Sequence, residues 1–99
     1  MKTMELMPEV IQAVAVDGYY VYAYLNDGTV HRFDVWPLIR RGGVFKPLEN
    51  MQLLKDTLTT INGTVAWDLE GNRNPEKCID IDPFAIKDSP IVADPIANF

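Results

Sequence analysis

The fold is decided by residues 10–35, which read VIQAVAVDGYYVYAYLNDGTVHRFDV. Two runs rich in β-branched and aromatic residues flank Asp17-Gly18. This dipeptide is typical of a two-residue hairpin loop, because the favoured turn requires positive φ at both loop positions. The pattern therefore predicts antiparallel strands over 10–16 and 19–25.

A second turn, NDG at 26–28, introduces a third strand over 29–35. The register of this strand depends on the length of the loop. A two-residue loop would place Arg32 and Asp34 on the apolar face of the first hairpin. A three-residue loop, with its glycine in the left-handed bulge position, places Phe33 there instead. Burial favours the three-residue loop.

These registers give the three-stranded meander two faces, because side chains alternate along a strand. One face carries the core, with Val14 predicted opposite Val21 and Val10 opposite Leu25. The opposite face, which we call the tyrosine face, carries Ile11, Ala13, Ala15, Tyr20, Tyr22, Tyr24, Arg32 and Asp34. A sheet face in contact with water normally carries polar residues, so we expect something to cover this one.

The middle of the chain changes from strand patterns to helix patterns. Pro37 fits the first turn of a short helix near 37–41, where its missing N–H needs no partner. Asn50 can cap a second short helix near 50–57. An extended link is expected between the two helices, over 44–48.

Asn62-Gly63 predicts a second, smaller hairpin, since this dipeptide also favours a tight two-residue turn. Residues 59–61 and 64–69 supply its strands, with Trp67 as the apolar anchor. The expected fold class is therefore α+β. It consists of an antiparallel three-stranded meander and a small hairpin, packed with two short helices.

The last part of the chain has a different composition. Pro83, Pro90 and Pro95 are interleaved with apolar side chains, and proline disfavours both helix interiors and central strands. We therefore divide the chain into a single α+β domain over 1–83 and an extended, proline-rich C-terminal arm over 84–99. The arm is expected to pack on the domain or on a partner subunit.

Several short motifs follow one another in a fixed order, namely Asp27-Gly28, Phe33-Asp34-Val35, Pro37-Leu38-Ile39, Gly43, Phe45, Pro47-Leu48, Trp67 and Gly71. In order and spacing they resemble a bacterial family of small proteins known as domain of unknown function 2442. The resemblance covers roughly residues 8 to 83. Trp36 stands where that family usually has Ser or Thr, which leaves Asp34 as the capping candidate.

The resemblance implies a small α+β domain built on a β-meander. It also implies similarity to the smaller partners of toxin–antitoxin-like gene pairs. It supplies no catalytic residues, because none is established for the family.

Composition narrows the classes of function. The 99 residues include nine basic and 14 acidic side chains, for a net charge of −5, so a general phosphate-binding surface is not expected. A single cysteine, Cys78, excludes an intramolecular disulfide and fits a reducing compartment. No apolar run approaches the ~20 residues that cross a bilayer. We therefore expect a cytoplasmic protein without a membrane segment.

No residue pattern predicts catalysis, a cofactor or a metal. His31 is the single histidine and Cys78 is distant in sequence, so a catalytic dyad has no motif behind it. Asp80 and Asp82 would share a strand face but lack the dense oxygen loop of a calcium site. We expect no catalytic residue, no cofactor-binding residue and no metal ligand.

Two surfaces remain as candidates for function. The candidate interface consists of Tyr20, Tyr22, Tyr24, Ile11, Ala13 and Arg32. It predicts a non-catalytic protein-interaction module, because tyrosine buries a large area at low entropic cost. The alternative is a weak nucleic-acid-binding or regulatory accessory domain that uses a basic spot, Arg40, Arg41 and Lys46. The net charge makes nucleic acid the less expected partner.

The partner itself stays open at this point. The tyrosine face can be covered by the arm, by a second copy in a homodimer, or by another protein. In the last case the chain would act as the smaller accessory or antitoxin-like member of a gene pair.

Overall fold

The computed structural model describes residues 7–16, 18–74 and 76–96. In chain order its strands are β1 (Val10–Val14), β2 (Tyr20–Leu25), β3 (Val30–Asp34), β4 (Leu58–Ile61), β5 (Thr64–Trp67), β6 (Ile79–Asp80) and β7 (Ile91–Val92). Its α-helices are α1 (Trp36–Arg41), α2 (Met51–Thr57) and α3 (Pro83–Lys87), and a 3₁₀ helix spans Gly43–Glu49. The predicted α+β class with antiparallel pairing is confirmed.

The first sheet has the strand order β1-β2-β3-β7, so the predicted meander forms its body. β2 and β3 pair in the predicted register, with Val21 opposite Phe33 and Ala23 opposite His31. Gly28 has a φ of 88°, which is the left-handed conformation that the bulge position favours. The three-residue loop before β3 is therefore confirmed.

The pairing of β1 with β2 differs from the predicted register by one residue. Val14 lies opposite Tyr22 rather than Val21, so the connecting loop is one residue longer than Asp17-Gly18 alone. Asp17 itself lies outside the described residues. A shift of one residue moves each side chain of a strand to the other face.

This shift corrects the predicted positions of Ala13 and Ala15. Ala13 lies opposite the fully buried Ala23, and both alanines pack against the core and not on the tyrosine face. The physical reason is Gln12. The predicted register would bury its amide opposite Ala23, which is unfavourable unless the amide finds hydrogen-bond partners. The observed register leaves Gln12 exposed, and a bulge between Val10 and Gln12 returns Val10 to its predicted partner Leu25.

The second sheet has the order β4-β5-β6, and its first two strands form the predicted small hairpin. Asn62 and Gly63 both have positive φ, 55° and 76°, as the favoured two-residue turn requires. Trp67 at the end of β5 is fully buried, and its ring makes an edge contact with Phe45 at a centroid distance of 6.4 Å. The hairpin is therefore anchored as predicted.

Both predicted helices between the sheets form. Of the two, only α2 begins at a side-chain cap, Asn50; the N-cap residue of α1 is Val35, and the expected cap Asp34 lies one position before it. The Asp34 carboxylate accepts a hydrogen bond from Trp36 N at 3.0 Å, and the Asn50 side chain accepts one from Leu53 N at 3.2 Å. The link between the helices, expected to be extended, belongs instead to the 3₁₀ helix. Pro47 is compatible with this conformation because its restricted φ of about −65° also suits a helical turn.

The core lies between the inner face of the first sheet, the helices and the second sheet. Its buried side chains are Val10, Val21, Ala23, Leu25, Val35, Ile39, Leu48, Leu54, Val65, Trp67, Ile79, Ile81 and Ile86. Ile86 comes from α3, so the beginning of the arm is anchored in the domain. No helix in the described part of the chain is long and apolar enough to cross a membrane.

The described part of the arm begins as a helix and becomes extended only afterwards. The Asp82 side chain accepts a hydrogen bond from Phe84 N at 2.9 Å, and Pro83 occupies the first helical turn. Proline is favourable there because that N–H has no intrahelical partner. After the helix, β7 pairs antiparallel with β3 and places Val92 opposite Val30. The arm therefore adds a fourth strand to the meander.

Candidate functional site

The tyrosine face forms one side of the first sheet, and its membership follows the observed register. Tyr20, Tyr22 and Tyr24 lie on it along β2. Their cross-strand neighbours on the same face are Gln12, Val14, Val30, Arg32 and Asp34. Five of the six predicted interface residues thus remain in or next to the face, with Ile11 at the bulge, and Ala13 leaves it.

The Tyr24 end of the tyrosine face is covered by the arm. Val92 lies opposite Val30, which in turn lies opposite Tyr24, so these side chains form a row across three strands. The Tyr24 hydroxyl donates a hydrogen bond to the Asp94 carboxylate. Burial, followed by the hydrogen bond and charge of Asp94, raises the pKa of Tyr24 to about 12. The arm of the same chain therefore covers Tyr24 at this end, while Gln12 and Ile11 on β1 are exposed.

The Tyr20 end is more open. Tyr20 is half-buried, and the guanidinium carbon of Arg32 lies 4.7 Å from its ring centroid, within the range of a cation–π interaction. Val14 is half-buried on the neighbouring strand, and Val16, two residues further along the chain, is 46% exposed. Apolar side chains at this end are accessible to a partner. Between the two ends, Tyr22 is 8% exposed and belongs to the protein interior.

A buried histidine ties the arm to β3. His31 is 3% exposed; its Nδ1 lies 2.8 Å from the carbonyl oxygen of Ser89, and its Nε2 lies 2.9 Å from Thr29 Oγ1. A carbonyl oxygen can only accept, so Nδ1 carries the hydrogen of the first bond. His31 therefore holds the connection between α3 and β7 against the sheet.

The loop before β3 contacts the same part of the arm. Asp27 accepts hydrogen bonds from the Thr29 hydroxyl at 2.5 Å and from Thr29 N at 2.9 Å. These bonds, with a smaller contribution from Lys87, lower the pKa of Asp27 to about 2. Lys87 Nζ, in α3, lies 3.5 Å from the second carboxylate oxygen of Asp27. This ion pair is exposed and contributes little to the free energy of unfolding. Two contacts therefore hold the arm to this part of the sheet: the ion pair between Asp27 and Lys87, and the hydrogen bond between His31 and Ser89.

Sequence reasoning did not single out Ser89 or Asp94. Ser89 acts on His31 through its main-chain carbonyl, which no side-chain pattern reveals. Asp94 is a single acidic residue within the apolar run IVADPI at 91–96. Asp94 lies two residues after Val92, and in an extended chain this spacing puts both side chains on the same side. That spacing was the only feature of the sequence that could have linked Asp94 to the sheet.

The titratable and nucleophilic side chains singled out in the sequence lie in separate places in the described part of the chain. Among the described residues no group of three or more His, Cys, Asp or Glu side chains is placed to hold a metal ion, and no pocket is found. His31 belongs to the first sheet, whereas Cys78 precedes β6 of the second. Burial and the neighbouring Asp68 raise the pKa of the Cys78 thiol. Asp82, one of the predicted acidic pair, serves as the cap of α3.

The alternative basic spot lies apart from the sheet. Arg40 and Arg41 are exposed in the last turn of α1, and Lys46 follows in the 3₁₀ helix. Lys46 Nζ lies 2.8 Å from Glu49 Oε1, so its charge has a local partner. Arg32, the basic residue of the tyrosine face, lies over the ring of Tyr20.

The chain matches no protein-family model, no curated protein and no solved structure. The resemblance to the domain of unknown function 2442 therefore rests on the motifs quoted above and stays a prediction.

Proposed function

We propose that this protein is a non-catalytic interaction module that forms a homodimer through the Tyr20 end of its tyrosine face. The observation that carries the proposal is the accessible apolar set at that end. Val16 is 46% exposed, and Val14 and Tyr20 are only half-buried. Contiguous apolar patches are unusual on soluble monomers and mark interaction sites.

Charge favours a second copy as the partner. Arg32 and Asp34 lie two residues apart on β3 and share the tyrosine face, so a positive and a negative group are adjacent there. In an isologous dimer the same patch meets itself in reverse, which can bring Arg32 of each copy to Asp34 of the other. The net charge of −5 makes two copies repel at long range, so local complementarity of this kind matters.

The placement of the chemically capable side chains supports a non-catalytic role. Both ring nitrogens of His31 have hydrogen-bond partners within the fold. The raised pKa of Cys78 disfavours the thiolate, which is the nucleophilic form of cysteine. Each of these groups is therefore better explained as part of the structure.

The cellular role that we propose follows the motif resemblance. The protein would be the smaller accessory or antitoxin-like member of a gene pair, and the homodimer would be the form that meets the larger partner. We place it in the cytoplasm, where the unpaired Cys78 thiol stays reduced.

The test is the molar mass of the full chain in solution, measured by sedimentation equilibrium over a range of concentrations. We expect a dimer for the wild type and a dissociation constant raised at least about tenfold by Val16→Asp, because a buried charge without a partner destabilises an interface. Val44→Asp is the matched control, since Val44 is a 67% exposed valine in the 3₁₀ helix. A wild type that stays monomeric, or equal effects of the two substitutions, would contradict the proposal.

A further inference from the structure

We propose that a proton-dependent latch holds the arm to β3. The latch is the chain of hydrogen bonds through Asp27, Thr29, His31 and Ser89, and it is complete only when the His31 ring carries a hydrogen on both nitrogens. It joins the loop before β3 to the point at which the arm leaves α3. The inference concerns a single chain and does not depend on the homodimer proposed above.

The direction of each bond in the latch follows from the hydrogens that its groups carry. The hydrogen bonds from Thr29 lower the pKa of Asp27 to about 2, so this carboxylate is ionised and can only accept. The Thr29 hydroxyl has a single hydrogen, and its oxygen lies 2.5 Å from the carboxylate and 2.9 Å from His31 Nε2. When the hydroxyl donates to Asp27, its oxygen can only accept from the ring, so Nε2 must then carry a hydrogen.

The other ring nitrogen carries a hydrogen in either case. His31 Nδ1 lies 2.8 Å from the carbonyl oxygen of Ser89, which can only accept. A ring with hydrogens on both nitrogens is the imidazolium cation. Every group of the latch therefore has its partner at the same time only when His31 is positively charged, and the Thr29 hydroxyl then links this charge to the Asp27 carboxylate.

Loss of the Nε2 proton to water breaks the latch at Thr29. The lone pair of His31 Nε2 then accepts the Thr29 hydroxyl hydrogen, and Asp27 keeps the main-chain bond from Thr29 N at 2.9 Å. The bond from Nδ1 to Ser89 remains, but it is weaker because the ring no longer carries a charge. Release of the proton therefore loosens the hold of β3 on the beginning of the arm.

The charged groups around His31 favour the protonated ring. Asp27 stabilises the cation through the bridging hydroxyl. Lys87 of α3 opposes it, but its ammonium group is exposed and itself lies 3.5 Å from the Asp27 carboxylate. Asp88, which follows in the chain, is exposed. The residues directly opposite His31 on β2 and β7 are an alanine and an isoleucine, which carry no charge.

The latch affects how well the arm covers the tyrosine face. β7 begins two residues after Ser89, and the arm beyond it supplies the Asp94 carboxylate that accepts from the Tyr24 hydroxyl. A looser attachment at Ser89 exposes this end of the face to water more often. We therefore expect the cover over Tyr24 to be most complete in mildly acidic solution.

Nitrogen NMR of the ¹⁵N-labelled full chain tests the positions of the hydrogens. His31 is the single histidine, so its ring gives the only imidazole signals. We expect hydrogens on both nitrogens at about pH 5 and on Nδ1 alone at about pH 8, which spans the usual range of histidine titration. A basic form with its hydrogen on Nε2 would overturn the proposal, because the Ser89 carbonyl would then receive no bond from the ring.

Amide hydrogen exchange tests whether the proton tightens the arm. Arg32 N donates to the carbonyl oxygen of Pro90 at 2.9 Å, so the protection factor of the Arg32 amide reports attachment of the arm. We expect it to be at least about threefold higher in the acidic form than in the basic form. The Ile81 amide, which donates to Val65 in the second sheet, is the internal control and should change less. Equal changes at the two amides would contradict the latch.

Variants at Thr29 separate the latch from other effects of pH. Thr29→Ser keeps the bridging hydroxyl and should keep the wild-type ratio of protection between the two forms. Thr29→Val leaves Nε2 without an acceptor, which disfavours the buried cation, and should lower the ratio toward one. Lys87→Ala is the matched control, because it removes an exposed charge and no member of the latch. An unchanged ratio in Thr29→Val, or a lost ratio in Lys87→Ala, would overturn the proposal, and the wild-type measurements decide it if Thr29→Val does not fold.

Discussion

His31 Nδ1 and the carbonyl oxygen of Ser89 lie 2.8 Å apart, although 58 residues separate them in the chain. The bond joins β3 to the point at which the arm leaves α3 and begins to follow the sheet. His31 is the single histidine of the sequence and is buried. Its role in this fold is therefore to hold Ser89, where the arm leaves α3, against β3.

Substitution of His31 by alanine should loosen the arm. The Ser89 carbonyl would lose a partner in a partly buried setting, and the Thr29 hydroxyl would keep only its bond to Asp27, which lowers the free energy of unfolding by about 1–3 kcal/mol. Urea unfolding measures the loss, and amide hydrogen exchange at Ile91 and Val92 should accelerate. Thr29→Val is the control, because it keeps the bond between His31 and Ser89. Unchanged exchange in β7 of the His31→Ala variant would show that the arm is held by other contacts.

The Tyr24 hydroxyl should make stability depend on alkaline pH. The pKa of Tyr24 is about 12 in the folded chain, against 10.0 for an unperturbed tyrosine. The unfolded chain therefore releases this proton first, so the contribution of Tyr24 is complete below about pH 10 and is lost as pH rises toward 12. Tyr24→Phe should abolish this part of the pH dependence. The measurement is the free energy of unfolding against pH, followed together with tyrosinate absorbance.

Tyr20→Phe provides the control for that experiment, since it removes a hydroxyl from the same strand and face while leaving Asp94 in contact with Tyr24. If Tyr24→Phe retains the full alkaline dependence of the wild type, the contact between Tyr24 and Asp94 does not persist in solution.

Replacing Trp67 by phenylalanine should lower the free energy of unfolding by less than the complete burial of Trp67 suggests. Its indole Nε1 is buried and has no hydrogen-bond partner among the described residues, so Trp67→Phe removes an unsatisfied donor together with packing volume. We expect a loss of about 1–2 kcal/mol for phenylalanine, against about 3–5 kcal/mol for alanine. Thermal or urea unfolding of the two variants checks the difference. Similar losses for both would mean that the indole nitrogen is satisfied in solution, for instance by a buried water.

Nucleic acid should not bind with useful affinity. Lys46 is paired with Glu49, Arg32 lies over Tyr20, and the net charge is −5, which leaves Arg40 and Arg41 as the accessible cations of the basic spot. Two phosphate contacts give only weak binding, which falls further as salt is added. Fluorescence anisotropy with a mixed-sequence oligonucleotide should show no saturation near 150 mM salt. Saturable binding that is lost in Arg40→Glu/Arg41→Glu would instead support the nucleic-acid alternative.

The meander could be predicted because its turns are local. A glycine at position 28 indicates a left-handed conformation by its residue type alone. The register that follows packs Phe33 against the core, where it is partly buried, and leaves Arg32 and Asp34 on the other face. The first hairpin was predicted with the wrong register for a reason that is not local. Both loop lengths are compatible with the turn sequence, and the cost of burying the Gln12 amide decides between them. A bulge at the far end of β1 then restores the predicted pairing of Val10 with Leu25.

By itself, the sequence determined the α+β class, the order of the strands in the meander, the small hairpin at Asn62-Gly63 and both helices near it. Each of these depends on residues a few positions apart, whose turn and capping preferences act within a single loop or helix end. Only the tertiary structure decided what covers the tyrosine face. The contacts involved, Tyr24 with Asp94 and His31 with Ser89, join residues 70 and 58 positions apart. A two-residue strand such as β7 carries no periodic pattern, so its partner is selected by the edge and the hydrogen-bond donors that the folded domain presents.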